Sequence, residues 1–303
     1  MRSPTLVLRQ GRLQTPREAG VFRAVLVPLD GSAFAEAALE CARAVATAVE
    51  GGLVLVRVHQ IHRVDRHHAT EWDAMVRADE EAYLDRVAAR LTDLGLTDIR
   101  AEVLDGDVVR AICARATRLD APLIAMSSHG RTGLTRSWLG SVADGVIHGT
   151  TTPVLIVRPA GPVTGLRRRE PELFDTVIVA LDGSSFAAQA LPPAIGLADA
   201  MHAHVLLLRL VPAEADLDEA EAYLASVAER IRFVHADLRV TCDARVARAP
   251  AAAVTACATA AERPLVALAT HGRGLSRFVI GSVADGVIRA GQAPTLLVRP
   301  VRT

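Results

Sequence analysis

Short apolar runs alternate with amphipathic stretches along this chain of 303 residues. The first run ends at Pro28 and is followed by a tight turn, Leu29-Asp30-Gly31-Ser32, and by an alanine-rich segment from Ala33 to Val49 with helical periodicity. Strands that are apolar at nearly every position are typical of parallel sheets covered by helices on both faces. The first half is therefore predicted to contain strands at Val21–Pro28, Leu53–Val58, Ile99–Leu104, Leu123–Met126 and Val154–Val157.

Helical patterns separate these runs, which gives strands and helices in strict alternation between residues 21 and 159. Right-handed crossovers are the strong rule for such units, so we predict a doubly wound α/β fold with a five-stranded parallel sheet and helices on both faces. The longest helix is expected from Glu71 to Leu94, ending at Gly95. Its predicted buried face consists of Met75, Ala78, Tyr83, Val87 and Leu91.

The whole pattern occurs twice. The octapeptide Gly-Ser-Val-Ala-Asp-Gly-Val-Ile occupies both 140–147 and 281–288, and the first turn is matched by Leu181-Asp182-Gly183-Ser184. We therefore predict two tandem domains of the same Rossmann-like type. Strands of the second copy are expected at Thr176–Ala180, His204–Val211, Arg239–Cys242, Leu265–Ala269 and Thr295–Val298. The predicted organisation is a flexible tail at 1–20, domain 1 at 21–160, a linker at 161–173 and domain 2 at 174–303.

Composition narrows the possible functions. The formal net charge is zero, which gives no general reason to expect nucleic acid or membrane binding. All 34 basic residues are arginines, so the chain can contain no catalytic or phosphate-binding lysine. The four cysteines form no C-x-x-C pair, and arginines interrupt the apolar runs near the N-terminus. A soluble, cytoplasmic protein is expected.

A glycine-punctuated loop from Ser127 to Ser141 joins the fourth strand to the last helix of the first copy. A strand, a glycine loop and a helix start form a common anion site, because glycines let backbone N–H groups approach an oxyanion and the helix dipole favours negative charge. Arg131 and Arg136 add charge with bidentate geometry. The alternative is purely structural, since Ser141-Val142-Ala143-Asp144 fits a helix capping box.

In an open parallel sheet, ligands bind at the carboxyl ends of the strands. That edge is predicted to gather the Ser127–Ser141 loop with Asp30, Val58 and Gly106. A nucleotide suits this set: Asp30 can serve a ribose hydroxyl or a phosphate-bound metal, and Val58 can form an apolar wall for a base. The alternative is that Asp30-Gly31-Ser32 is only a turn followed by an N-cap.

The sequence gives less support to other kinds of binding or catalytic site. The chain contains no G-x-x-x-x-G-K, no G-x-G-x-x-G after the first strand and no nucleophile elbow. His129 and His271 lie in the loops and could carry protons or merely donate hydrogen bonds. The stretch from His59 to Thr70 contains His59, His62, His67 and His68, which leaves a metal site and a solvated loop as its two interpretations.

With the spacing Ser127-x2-Gly130-x9-Gly140-Ser141, the chain resembles the universal stress protein family in its tandem two-domain form. Many members of that family bind ATP through G-x2-G-x9-G-[S/T] and pair through their fifth strands. The resemblance implies that the two domains pair with each other and that the chain forms a homodimer through edge strands. In domain 1 the implied nucleotide contacts are Pro28, Leu29, Asp30, Val58, Gly106, Met126, Ser127, Gly130, Arg131, Gly140, Ser141 and Val142.

The second copy departs further from the family pattern. Ala269 stands at the leading glycine, only eight residues separate Gly272 from Gly281, and Arg248 stands near the position of Gly106. A shorter loop with an added β-carbon re-aims the backbone N–H groups, so domain 2 is expected to bind more weakly. Its implied contacts are Ala180, Asp182, Leu210, Ala269, Gly272, Gly281, Ser282 and Val283.

These features predict a cytoplasmic stress-response protein that binds ATP, together with Mg²⁺ or Mn²⁺, mainly in domain 1. Binding is expected to act as a sensor or switch, because no base or lysine is evident for phosphoryl transfer and no catalytic residue is assigned. Two alternatives stay open. One is a scaffold whose sites no longer bind nucleotide, and the other is a slow ATPase.

Overall fold

The computed structural model describes residues 22–60, 69–128, 139–158, 174–270 and 281–300. The N-terminal tail, most of the histidine-containing insert, the linker and the greater part of both glycine loops lie outside these ranges. Within the described residues, no helix combines the length and the apolarity needed to cross a membrane.

The first half follows the predicted alternation of strands and helices. The helix expected at Ala33–Val49 is divided into α1 and α2, with Ala37 between them. The elements are β1 (Ala24–Pro28), α1 (Ala33–Glu36), α2 (Ala38–Ala48), β2 (Gly52–His59), α3 (Ala69–Thr92), β3 (Ile99–Asp105), α4 (Val108–Ala116), β4 (Pro122–Ser127), α5 (Ser141–Gly149) and β5 (Val154–Val157).

The second half repeats this order, and a 3₁₀ turn at Ala187–Ala190 leads into its first long helix. Because Pro192 and Pro193 sit in the first turn of that helix, their missing N–H groups cost no hydrogen bond there. The elements are β6 (Thr176–Leu181), α6 (Leu191–Met201), β7 (His204–Val211), α7 (Leu217–Val234), β8 (Val240–Val246), α8 (Pro250–Ala260), β9 (Pro264–Ala269), α9 (Ser282–Ala290) and β10 (Thr295–Val298).

All ten strands form one sheet in the order β3-β2-β1-β4-β5-β10-β9-β6-β7-β8. Within each half the five strands are parallel, which confirms the predicted doubly wound α/β fold. The two fifth strands, β5 and β10, pair in antiparallel fashion, with Leu155 opposite Leu296. The sheet therefore runs without interruption from one half into the other.

Two apolar layers cover the sheet. On one face, α1, α2, α3, α6 and α7 pack on a buried cluster that includes Leu39, Leu84 and Leu224 and draws on both halves. On the other face, α4, α5, α8 and α9 pack on a cluster that includes Ile112 and Val254. With aromatic residues at only 3% of the chain, both layers are built from aliphatic side chains.

The predicted buried face of α3 is wrong at its N-terminal end. Met75 is 49% exposed and Ala78 is also exposed, whereas Leu84, Val87 and Leu91 are buried. The buried residues recur every three or four positions and define one face of the helix, which also carries Asp73 and Arg77, the residues that contact the ends of β2 and β3. Met75 lies about half a turn away from that face, on the side that meets solvent.

Candidate functional site

The switch in strand order of the first half lies between β1 and β4. The chain continues from β1 to β2 on one side, whereas β4 and β5 lie on the other side. Because these strands are parallel, their carboxyl ends meet at one edge of the sheet. Asp30 follows β1 and Ser127 ends β4, so both residues lie at the position where open α/β sheets bind ligands.

The turn after β1 is fixed by its own hydrogen bonds. Pro28 ends the strand, and the N–H of Leu29 donates to the carbonyl of Val56 at 2.8 Å. The N–H of Ser32 donates to Oδ1 of Asp30 at 2.9 Å, and Ser32 Oγ accepts from the N–H of Ala35 at 3.1 Å. The turn and N-cap considered as the structural alternative are therefore present, and they hold the Asp30 carboxylate in place.

The ends of β2 and β3 supply an apolar wall and an open glycine. Val58 is half-buried and packs on the same face of the sheet as α4 and α5. Gly106 follows β3 with φ of +111°, and no described atom lies within 4 Å of the point that its Cβ would occupy. The structure thus leaves space at Gly106 on the edge that carries Asp30.

The loop after β4 is closed at its base. Met126 and Ser127 are buried, the N–H of Ser128 donates to the carbonyl of Val157 at 2.9 Å, and the N–H of Gly140 donates to the carbonyl of Ser128 at 2.7 Å. The start of α5 is thereby held beside the end of β4. The loop residues His129, Gly130, Arg131 and Arg136 lie outside the described part of the chain.

The capping box proposed from the sequence is wrong. Gly140, with an extended backbone, is the N-cap of α5, and Ser141 and Val142 are its first helical residues. The helix begins one residue earlier than a Ser141 cap requires, and glycine has no side chain to accept a hydrogen bond from the first turn. The N–H groups at the start of α5 therefore suit an anion better than a serine-capped end would.

In the second half, the edge at the carboxyl ends of the strands has the same turn after its first strand, but its residues differ in exposure and in type. The N–H of Ser184 donates to Oδ1 of Asp182 at 2.9 Å, as in the first turn, but Asp182 is exposed whereas Asp30 is half-buried. By strand register, Ala247 occupies the position of Gly106, which places a β-carbon where the first half has none, and Arg248 comes next.

The other predicted residues of the second half fall on the same strand ends and helix start. Ala180 lies in β6, Leu210 in β7 and Ala269 at the end of β9, and all three are half-buried. Gly281 is the N-cap of α9 with φ of +98°, unlike Gly140 at −65°. Ser282 and Val283 open α9, whereas Gly272 and His271 lie outside the described residues.

A charged cluster under the Asp30 turn was not anticipated. The Arg57 guanidinium stacks over the ring of Tyr83, with its carbon 5.4 Å from the ring centroid, and Nε donates to Glu80 Oε1 at 3.2 Å. A sequence signal for it exists: both halves contain Glu-Ala-Tyr-Leu, at 81–84 and 221–224, and an arginine immediately before Val58 and Leu210.

His59 extends this cluster. Its ring is only 2% exposed, with Nδ1 2.8 Å from Glu80 Oε2 and Nε2 2.9 Å from Asp73 Oδ1. Hydrogen bonds to Asp73 and Glu80 raise the pKa of His59, because an imidazolium can donate to both carboxylates at once. The other three histidines of the insert, His62, His67 and His68, lie outside the described ranges. Within those ranges, no group of three or more His, Cys, Asp or Glu side chains could hold a metal ion.

Comparison with known proteins agrees with the fold. "Universal stress protein Rv2005c" of Mycobacterium tuberculosis is 29% identical over 197 residues, which cover 59% of this chain and 62% of that protein. The chain thus spans less than two thirds of this relative's length. "Universal stress protein MJ0531" of Methanocaldococcus jannaschii is 28% identical over 142 residues, 46% of this chain and 83% of that protein.

The crystal structure of a universal stress protein from Archaeoglobus fulgidus superposes with a TM-score of 0.67 at 22% identity. The superposition covers 92% of this chain and 98% of that one, which shows that the fold is shared. The sequence model of the universal stress protein family matches residues 22–158 and again residues 173–299. The chain therefore belongs to the universal stress protein family.

Proposed function

We propose that the protein is a cytoplasmic stress-response protein that binds ATP, mainly in domain 1, as a sensor or switch. The observation that supports this proposal is that Asp30, the open Gly106 and the glycine-capped start of α5 all lie along the edge where the strands of the first half end. These are the parts that a nucleotide requires: an acidic group, space beside a strand end and backbone donors for phosphate.

Each part has a role in the proposal. The first N–H groups of α5, together with Gly140 and Ser141, would face the phosphates, where the helix dipole favours negative charge. The carboxylate of Asp30 would accept a hydrogen bond from a ribose hydroxyl or face a Mg²⁺ or Mn²⁺ ion carried by the phosphates, which neutralises their charge. Val58 would pack against the base.

Domain 2 would bind nucleotide more weakly. Its acidic residue Asp182 is exposed, Ala247 places a β-carbon at the position of Gly106, and Gly281 enters its helix with a different backbone conformation from Gly140. Its glycine loop is also one residue shorter. Each difference alters the distance or direction of a group that would contact the ligand.

We also propose the domain limits 21–160 and 174–303, with a tail at 1–20 and a linker at 161–173. The two domains would pair with each other through β5 and β10. That pairing leaves β3 and β8 as the outer strands of the ten-stranded sheet. A homodimer formed through edge strands would therefore use β3 or β8.

The alternatives predict different behaviour. A scaffold with closed sites would bind no nucleotide. A slow ATPase would need a proton acceptor, for which His129 in the loop is the candidate. Single-turnover hydrolysis by the wild type and by His129→Ala would separate hydrolysis from simple binding.

Mass spectrometry of gently purified protein tests the proposal. We expect an adenine nucleotide to accompany the folded chain at about one equivalent, because the weaker site of domain 2 would lose its nucleotide during purification. Protein that carries no nucleotide, and takes up none during dialysis against ATP with Mg²⁺, would instead support the scaffold.

A further inference from the structure

The same arginine–tyrosine stack occurs in both halves of the molecule. Arg57 on β2 covers Tyr83 of α3 at 5.4 Å, and Arg209 on β7 covers Tyr223 of α7 at 5.2 Å. These are the only two tyrosines in the sequence. Each guanidinium is further paired with a glutamate of the same helix. The repetition indicates a shared structural task.

That task concerns the turn after the first strand of each half. A β-carbon at Gly31 would lie 2.6 Å from Arg57 Nη1, and one at Gly183 would lie 2.9 Å from Arg209 Nη2. Each guanidinium therefore lies directly against the glycine of the Asp-Gly-Ser turn. In each half this is the turn that carries the acidic residue of the candidate site, Asp30 or Asp182.

Only in the first half is the glutamate that pairs with the arginine buried. Glu80 pairs with Arg57 and is 9% exposed, whereas Glu219 pairs with Arg209 and is 81% exposed. Exposed ion pairs contribute little to rigidity, because solvent screens them and the side chains stay mobile. The arginine of domain 2 is therefore held mainly by its contact with Tyr223 and by donation to the main-chain carbonyl of Glu219 at 3.5 Å.

His59 holds Glu80 in turn, through the 2.8 Å contact with Nδ1, and Asp73 holds the other ring nitrogen. By strand register and the shared Glu-Ala-Tyr-Leu sequence, Val211 and Ala220 occupy the positions of His59 and Glu80 in the second half. Small apolar residues are thus compatible with the fold at both positions. Because burying charges is costly, the fold alone gives no reason for the charged set in domain 1.

Arg57 adds support beneath the turn, beyond the hydrogen bonds within the turn itself. A cavity of about 320 Å³ lies between α3 and the turn, and Asp30, Gly31, Arg57 and Tyr83 are among its lining residues. The guanidinium occupies the space beneath Gly31 at the wall of this cavity. Truncation of Arg57 would enlarge the cavity and leave the turn without support on that side.

We propose that Arg57 is a positioning residue for the nucleotide site of domain 1: braced by Glu80 and His59, it holds the turn that presents Asp30. Arg209 performs the same task in domain 2, where its glutamate partner is exposed. The consequence for nucleotide affinity rests on the proposed function. The effect of Arg57 on the order of the turn does not depend on that function.

The test compares Arg57→Met with the matched variant Arg209→Met by hydrogen–deuterium exchange of ligand-free protein. Methionine keeps the aliphatic stem and removes the charged group. In Arg57→Met we expect amides of residues 29–36 to exchange about tenfold faster while residues 181–188 are unchanged. In Arg209→Met we expect the reverse pattern. Calorimetry should show a loss of about tenfold in the affinity for ATP with Mg²⁺ only in Arg57→Met.

The outcomes separate the two proposals. Unchanged exchange at residues 29–36 in Arg57→Met overturns the positioning role, whatever the affinity. Faster exchange in a protein whose wild type binds no ATP leaves the positioning role intact and overturns the proposed function. Should Arg57→Met fail to fold, Glu80→Gln keeps the size of the brace and removes its charge. It should accelerate exchange at the same residues, and unchanged exchange there would count against the proposal equally.

Discussion

The guanidinium of Arg57 lies against Gly31, with Nη1 only 2.6 Å from the point that a β-carbon at Gly31 would occupy. Gly31 also has φ of +86°, a conformation that side chains other than glycine rarely adopt. The positive φ therefore favours glycine in the turn that carries Asp30, and any side chain at this position would also have to displace the Arg57 guanidinium. Gly95, with φ of +94° and no described atom within 4 Å of its Cβ position, carries only the backbone constraint.

Comparison of Gly31→Ala with Gly95→Ala separates these constraints. We expect Gly95→Ala to lower the free energy of unfolding by about 1–2 kcal/mol through backbone strain. Gly31→Ala should cost about 1–3 kcal/mol more, because the new methyl group displaces Arg57 from Glu80 and Tyr83. Urea denaturation measures both values. Equal costs would show that Arg57 moves aside freely, and in that case the contact does not hold the turn.

The pH dependence of stability should report on His59. Because the folded-state pKa is raised, the stabilisation by His59 is fully present below its ordinary value of 6.5 and is lost as the pH rises through the folded value. The charged groups around it are Asp73, Glu80, which is paired to Arg57, and Asp105 on the neighbouring strand, which is paired to Arg77. Urea denaturation of the wild type and of His59→Gln between about pH 5 and 9 should show a difference in unfolding free energy that shrinks with rising pH. A difference that grows with pH contradicts this assignment.

The fold was predictable because strand periodicity and the repeated octapeptide are local signals. Strands Val154–Val157, His204–Val211 and Thr295–Val298 are where the sequence predicts them. The predicted face of α3 was wrong at Met75, because the helical repeat of Leu84, Val87 and Leu91 places Met75 on the opposite side of the helix. The cap at Gly140 was missed because Ser141-Val142-Ala143-Asp144 satisfies the capping pattern one residue later.

The candidate site likewise contains some residues that the sequence predicts and others that it does not. Asp30, Val58, Gly106 and Ser127 follow from strand ends and from the family resemblance, because each position is defined by its place in the chain. The Arg57–Glu80–His59 cluster was missed because it joins β2 to α3, and pairing of charges across elements leaves no periodic signal. The tetrapeptide shared by 81–84 and 221–224 is the local clue to it.

One continuous core should make the two halves unfold together. Leu155 and Leu296 face each other across the junction of β5 and β10, and both are fully buried. Leu155→Ala should lower the free energy of unfolding by about 2–5 kcal/mol in a single calorimetric transition. Leu91→Ala, at a buried position in α3, is the matched control and should shift the same transition. Two resolved transitions, with only one shifted by each variant, would show that the halves unfold independently.

Site variants should rank the two domains. Asp30→Ala removes the proposed ribose or metal contact, and Gly130→Val obstructs the loop of domain 1. Each should weaken ATP binding by about 10- to 100-fold. The matched change in domain 2, Gly272→Val, should leave the tight site unaffected. Equilibrium dialysis with labelled ATP measures all three variants, and if Gly272→Val abolishes the tight site, domain 2 is the principal binder.

Titration calorimetry of nucleotide-stripped protein with ATP and Mg²⁺ tests the central claim most directly. We expect one dominant site per chain with a dissociation constant below about 100 µM, which corresponds to roughly −5.5 kcal/mol, and a weaker second site. Absence of binding heat at high micromolar ATP, repeated at a second temperature to guard against a zero enthalpy, would contradict nucleotide binding and leave the scaffold as the better account.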